Sequence, residues 1–297
     1  MTYVVGYSPH KDDRSAIELA CQFARSRPEP VRVVTVVPSG WAVPVAAGGT
    51  DREFQAWARE EGERSAELAQ EHLAEQVGIE ATAGWVSARS VPQALLEQAT
   101  QLDASTIVVG SGDDVVDGRI RLTSKTDRLV HSSTVPVALA PRGYRSESPV
   151  TRVTVGFRDD DVSWTLLTAV ADICRSVNAR LRIVTFLVAP RRMATNTVSH
   201  AETQVIERWK IQAASAQREA REHLHSTGFE AEVEAELAEG DDWEQAIGSL
   251  EWNDGDIMIV GSSSTHRLAQ VFLGSSATKI IRYAPVPVIA VPGAAIR

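Results

Sequence analysis

"STIVVGSG" (105–112) returns 151 residues later as "DIMIVGSS" (256–263). In both copies an apolar run stops at a glycine, Gly110 or Gly261, and small polar residues follow. A strand that alternates apolar and polar residues keeps one face wet, whereas a strand apolar throughout must be covered on both faces. That cover comes from the helices that cross over between parallel strands, so the run points to a parallel sheet.

Working outward, the rest of the chain repeats in step. "YVVGY" (3–7) returns as "VTVGF" (153–157), "VRVVTVV" (31–37) as "LRIVTFL" (181–187), and "VPVALAP" (135–141) as "VPVIAVP" (286–292). The offset is 150 or 151 residues throughout, so the halves are nearly collinear. Two copies at so long a period are a tandem domain duplication and not a solenoid. The join, "PRGYRSESPVT" (141–151), is polar and bounded by proline, as a linker should be. The expected domains are 1–143 and 150–297.

Strand signals in the first half fall at 3–7, 31–37, 81–86, 105–110 and 135–140. Phe54, Trp57, Ala58, Leu68, Ala69, His72 and Leu73 mark one face of a helix over about 51–77. Val205, Ile206, Trp209, Ala213, Ala216, Ala220 and Leu224 do the same in the second half. "SVPQALLEQA" (90–99) opens another helix with a serine beside a proline. The reading is an α/β fold of two Rossmann-like domains, each a parallel five-stranded sheet flanked by helices. The proline in "VPV" (135–137 and 286–288) suits an edge strand. Two such edges suggest that the halves pair through their last strands as a pseudo-symmetric dimer, with a further homodimer open.

Composition narrows the function classes. With 43% hydrophobic and 23% charged residues the chain is an ordinary globular protein. No apolar run reaches membrane-spanning length, and "MTYVVGYSPHKDD" at the start lacks a basic leader and an apolar core. A cytoplasmic location is expected. Cys21 and Cys174 stand on separate helical patterns without metal-ligand spacing and read as buried thiols. Net charge is −9, divided as 15 basic against 20 acidic residues up to 150 and 15 against 19 beyond. Neither half has the basic footprint of a DNA or RNA binder. GxSxG, P-loop, HExxH and kinase signatures are absent, so nothing supports catalysis.

Ligands of open α/β sheets collect beyond the carboxyl ends of the strands. Gly261 stands at such an end, and Gly274-Ser275-Ser276 precede "ATKIIRYA" (277–284), which reads as a helix. Helix-start N–H groups attract phosphate and serine hydroxyls add donors, so these two pieces form a candidate anion site.

These motifs identify the chain as resembling a tandem universal stress protein over essentially its whole length, a family of adenine nucleotide alpha hydrolase-like fold. Nucleotide-binding members carry Gly, two residues, Gly, nine residues, then Gly-Ser or Gly-Thr. The second half matches at Gly261, Gly274 and Ser275, with Ser264 in place of the middle glycine. The first half matches at Gly110 and Ser124, with Asp113 and Thr123 in place of glycines. The family's nucleoside-contacting Asp after the first strand is Ser8 in one half and Arg158 in the other.

The resemblance implies a non-enzymatic stress-response role, with ATP or AMP (and Mg²⁺) as ligand of the second half. Gly156, Arg158, Phe186, Gly261, Ser264, Gly274, Ser275 and Ser276 would form that site; Ser8, Gly110, Asp113, Thr123 and Ser124 are its degenerate first-half counterparts. A carboxylate about 5 Å from a phosphate charge costs roughly 3 kcal/mol per charge pair at an effective dielectric of about 20. Asp113 should therefore suppress polyphosphate binding in the first half. The alternative is an interaction module of the same fold that binds no nucleotide. Arg158 reads equally as a solvated loop residue. "RDDD" (158–161) reads as a helix-terminal charge cluster or as a Mg²⁺ holder, with the former favoured. His10 and His266 read as surface residues. The irregular stretches 38–50, with Trp41, and 189–200 flank the ligand edge as covers or plain connections.

Overall fold

A computed structural model describes residues 1–8, 13–39, 50–188, 199–261 and 273–293. The chain divides into two compact units, Met1–Glu147 and Ser148–Arg297. Unit 1 runs β1 (Thr2–Tyr7), α1 (Ser15–Ser26), β2 (Val31–Pro38), α2 (Thr50–Ala74), β3 (Ala81–Ala88), α3 (Val91–Gln101), β4 (Ala104–Gly110), α4 (Ser124–Ser132) and β5 (Val137–Ala140). Unit 2 repeats the order with β6 (Arg152–Gly156), α5 (Asp161–Val177), β7 (Arg180–Val188), α6 (Ser199–Ser226) and β8 (Val233–Gly240). It closes with α7 (Trp243–Gly248), β9 (Asp256–Gly261), α8 (Ser275–Tyr283) and β10 (Val288–Val291).

Within unit 1 the strands lie in the order β3-β2-β1-β4-β5, and within unit 2 in the order β8-β7-β6-β9-β10. The ladders inside each unit are parallel. Ile107 and Val108 of β4 and Ile257 to Val260 of β9 are buried, as strands covered on both faces require. Strand order reverses direction between β1 and β4, and between β6 and β9, which opens a crevice at the carboxyl edge of each sheet.

Two strand boundaries differ from expectation by two residues. The third strand runs on from residue 86 to Ala88, because Pro38 extends β2 and Ala88 pairs with it. The fifth strand begins at Val137 and not at 135, so Pro136 lies just before it. Proline has no N–H to offer a ladder, but its carbonyl serves: Ile107 donates its N–H to Pro136 at 2.9 Å, as Met258 does to Pro287.

Unit 2 holds a buried charge network at the opposite, amino-terminal side of its sheet. Arg152 on β6 donates to Asp256 on β9 at 2.6 and 3.0 Å, to Glu234 on β8 at 3.1 Å and to the Glu251 carbonyl at 2.9 Å. Arg182 on β7 has a fully buried side chain whose guanidinium donates to Thr154 and the Glu251 carbonyl and lies 4.5 Å from the Trp252 ring centre. Burial, and then the neighbouring Arg152, push the Arg182 pKa below its ordinary value, whereas the hydrogen bond to Asp256 holds Arg152 above its own.

Removing one partner of a buried ion pair strands the other charge. Asp256→Ala is therefore expected to destabilise unit 2 by roughly 3–5 kcal/mol, seen as a fall in the urea midpoint without loss of slope. Burial also pushes the thiols of Cys21 and Cys174 up to about 12. Both should resist a disulfide reagent at pH ~8 in the native chain and react fully once it is unfolded.

Candidate functional site

In unit 1 the crevice is a cavity of about 560 Å³ at the carboxyl ends of β1, β2 and β4, closed by α2 and the start of α4. Ser8, Gly110, Asp113, Thr123 and Ser124, five positions singled out from the sequence, all line it. The structure adds Asp13, Thr35, Glu61, Ser65 and Lys125 to the same walls. Glu61 carried a legible signal: an acidic residue on the stripe of α2 that also holds the buried Ala58, Ser65, Ala69 and Leu73. Asp13, Thr35 and Lys125 carried none, since only the crevice relates them.

Among the described residues, three carboxylates line this cavity against one ammonium. Asp13 is fixed by the N–H of Ser15 (3.0 Å) and by its hydroxyl, and its free oxygen would stand 3.6 Å from a methyl placed on Gly110. Glu61 is buried and ion-paired with Arg64. The unfavourable field inferred from Asp113 is thus reinforced by Asp13, while the charge of Glu61 is offset by Arg64.

The phosphate loop of unit 1 is closed by its own bonds. Gly112 donates its N–H to the Arg121 carbonyl at 3.1 Å, and Arg121 donates its N–H to the Ser111 hydroxyl at 2.8 Å. Arg142 donates to the Asp113 carbonyl and, at 3.2 Å, to the Asp117 carboxylate. Thr123 caps α4: its hydroxyl oxygen accepts from the N–H of Thr126 at 3.2 Å. The helix start that would receive an anion already has an acceptor of its own.

Unit 2 differs at this cap. Gly274 occupies the N-cap of α8 and provides no side-chain acceptor, with Ser275 and Ser276 opening the helix. Its φ of −61° is one that any residue adopts, close to the −81° of Thr123. The glycine is thus not required by the backbone; what it contributes is the missing side chain, so residue 274 offers the first N–H groups no side-chain acceptor. A methyl on Gly156, at the end of β6, would lie 3.9 Å from the Phe186 ring and 3.7 Å from Ile280 of α8, so these elements meet at one place. A methyl placed on Gly261, at the end of β9, would lie 3.1 Å from the Leu166 side chain, tighter than ordinary contact. Ser264 and His266 lie outside the described residues, as do His10, Trp41 and most of the stretches 38–50 and 189–200.

Arg158 points to solvent, three-quarters exposed, and pairs with Asp160 at 3.1 Å. The acidic run beside it is engaged in local structure. Asp160 caps α5 by accepting the Ser163 N–H at 2.8 Å, and Asp159 accepts from the Trp164 indole at 3.0 Å. Among the described residues no group of three or more His, Cys, Asp or Glu is placed to hold a metal ion, and no helix is long and apolar enough to cross a membrane.

Comparison with known proteins agrees with this architecture. The pattern of the universal stress protein family (Usp) matches residues 1–141 and again 149–292. Universal stress protein Rv2319c of Mycobacterium tuberculosis (strain ATCC 25618 / H37Rv) is 37% identical over 297 residues, covering 99% of this chain and 100% of that protein. Universal stress protein Mb2346c of Mycobacterium bovis matches to the same extent, 37% over 297 residues. Among solved structures, a universal stress protein from Archaeoglobus fulgidus DSM 4304 superposes with a TM-score of 0.64 at 17% identity, over 98% of each chain.

Thr35 bears the one sharp test of the unit 1 cavity. Among the described residues its buried hydroxyl has no hydrogen-bond partner, a condition that costs about 1–3 kcal/mol. Thr35→Val, of nearly the same shape, should leave the melting temperature unchanged or raise it. A clear fall would show that the hydroxyl is bonded after all.

Proposed function

The chain belongs to the universal stress protein family, and on that footing we propose that it is a non-enzymatic, nucleotide-responsive stress protein whose second unit holds the adenine nucleotide. One observation carries this reading: α8 starts at an uncapped Gly274 followed by two serines, whereas α4 starts at a self-capping Thr123. Gly261, Ser264, Gly274, Ser275 and Ser276 are the proposed phosphate cradle. Gly156 and Phe186 form the nucleoside side, with Arg158 reaching it from the rim. The phosphate gains the helix-start N–H groups and hydroxyl donors without displacing a protein acceptor. Any Mg²⁺ arrives with the nucleotide.

A non-enzymatic role is supported by what the described residues offer for chemistry. Both thiols are buried and raised, and the acidic run at 159–161 is held in capping and pairing. Two free cysteines fit a reducing compartment, and we assign the protein to the cytoplasm. The competing reading is an interaction module without ligand. It draws on the carboxylate-lined cavity of unit 1 and on the solvated Arg158.

Calorimetric titration with ATP and Mg²⁺ separates the two. One site per chain is expected, lost in Gly274→Val with little change in stability, because the backbone there accepts any residue. Two sites in the native chain would overturn the charge argument for unit 1. No binding up to about 1 mM would leave the interaction module as the better account.

A further inference from the structure

One threonine is treated differently in the two units. Thr35 follows Val34, the ladder partner of Gly6, and Thr185 follows Val184, the partner of Gly156, so the two hold the same place. In unit 2 the Thr185 hydroxyl donates to the Phe157 carbonyl at 3.0 Å and accepts from the Gln217 amide of α6 at 3.1 Å. In unit 1 Thr35 is 5% exposed and lines the 560 Å³ cavity, and its hydroxyl has no hydrogen-bond partner among the described residues. A ligand that bonds to this hydroxyl gains an interaction that the fold leaves unmade.

A second difference stands over the end of the fourth strand of each unit. A methyl on Gly261 would meet the Leu166 side chain at 3.1 Å, whereas a methyl on Gly110 would meet the Asp13 Oδ2 at 3.6 Å. Unit 1 thus sets a carboxylate where unit 2 sets an isobutyl group. The other oxygen of Asp13 is held by the Ser15 N–H at 3.0 Å and by the Ser15 hydroxyl, so the carboxylate is fixed without using Oδ2. Of the remaining charged side chains on the cavity walls, Glu61 is paired with Arg64, and Lys125 and Asp113 sum to zero. Among the described residues Asp13 therefore leaves a surplus of one negative charge.

These two groups are not neighbours. β1 lies between β2, which carries Thr35, and β4, over whose end Asp13 stands. Two strand spacings separate them, about 10 Å. A bare metal ion does not reach both, and among the described residues no group of three or more His, Cys, Asp or Glu is placed to hold one. A molecule with an ammonium at one end and a neutral hydroxyl at the other does span the gap. Tyr7, on the intervening strand, and Trp57 of α2 line the same cavity and give a flat apolar body aromatic surface to lie on.

We propose that the crevice of unit 1 binds a small organic cation of this kind, its ammonium donating to Asp13 and its hydroxyl bonded to Thr35. The charge that turns polyphosphate away is then the charge that selects the ligand. Unit 1 is a receptor of opposite sign, and this inference does not depend on what unit 2 holds.

The test is calorimetry on the full-length chain with tyramine as probe and 4-ethylphenol, which keeps the ring and hydroxyl but lacks the ammonium, as control. Tyramine should bind at one site per chain and at least about tenfold more tightly than 4-ethylphenol. Raised salt should weaken it. Asp13→Asn, which keeps an acceptor for Ser15, should weaken tyramine about tenfold or more. Thr35→Val should weaken it about threefold to tenfold with no fall in the unfolding midpoint. Should Asp13→Asn lower the midpoint, the preference of the native chain for tyramine over 4-ethylphenol and the salt dependence carry the charge requirement by themselves. The proposal fails if tyramine does not bind up to roughly 10 mM, which would mean that the cavity holds water alone. It fails equally if 4-ethylphenol binds as tightly, or if a folded variant at either position binds tyramine as the native chain does. Gly274→Val should leave tyramine binding unchanged, so this result and the nucleotide reading of unit 2 stand or fall separately.

Discussion

A strand hydrogen-bonded on both sides and covered by helices on both faces can offer a ligand only its ends. β4 and β9 are such strands, apolar from Ile107 to Val109 and from Ile257 to Val260. Their burial commits each unit to a parallel sheet with crossover helices, and it leaves the carboxyl edge as the place for chemistry. Everything of functional interest in unit 1 follows that geometry. Ser8 follows β1, Thr35 to Pro38 end β2, Arg89 follows β3 and Gly110 ends β4. The helix starts bring Lys125, Arg128 and the Thr123 cap to the same edge.

Duplication frees that edge to change while the sheets stay fixed. The cores of the two units keep the same order and the same register from β2 to β3 and from β7 to β8. The edges are opposite in character. Unit 1 has a self-capped α4, three carboxylates in its crevice and an open cationic groove beside it. Unit 2 has an uncapped α8, and an acidic, tryptophan-filled start to α7.

The amino-terminal side of unit 2 shows a different constraint. α7 covers 6 residues where α3 covers 11, and Arg182 with Trp252 lies in the sheet region next to it. Burying a guanidinium is costly, so Arg182 is surrounded by Thr154, Glu236 and the Glu251 carbonyl, and its neighbour Arg152 by two carboxylates. This network lies far from the ligand edge and belongs to stability.

By itself the sequence determined the fold, because periodicity and repetition are written in one dimension. The apolar runs at 105–110 and 256–261, and the steady offset between halves, were sufficient for two parallel α/β units. The resemblance to the family's motif also pointed to Ser8, Gly110, Asp113, Thr123 and Ser124, and all five line one crevice. Tertiary structure alone decided which side chains join them. Asp13, Thr35, Glu61 and Lys125 come from four separate segments and share a wall only once the strands are stacked. Arg89 and Arg128 are 39 positions apart, and nothing in their spacing says that both line one groove. Charge balance is a property of distance in space, and the chain order carries no record of it.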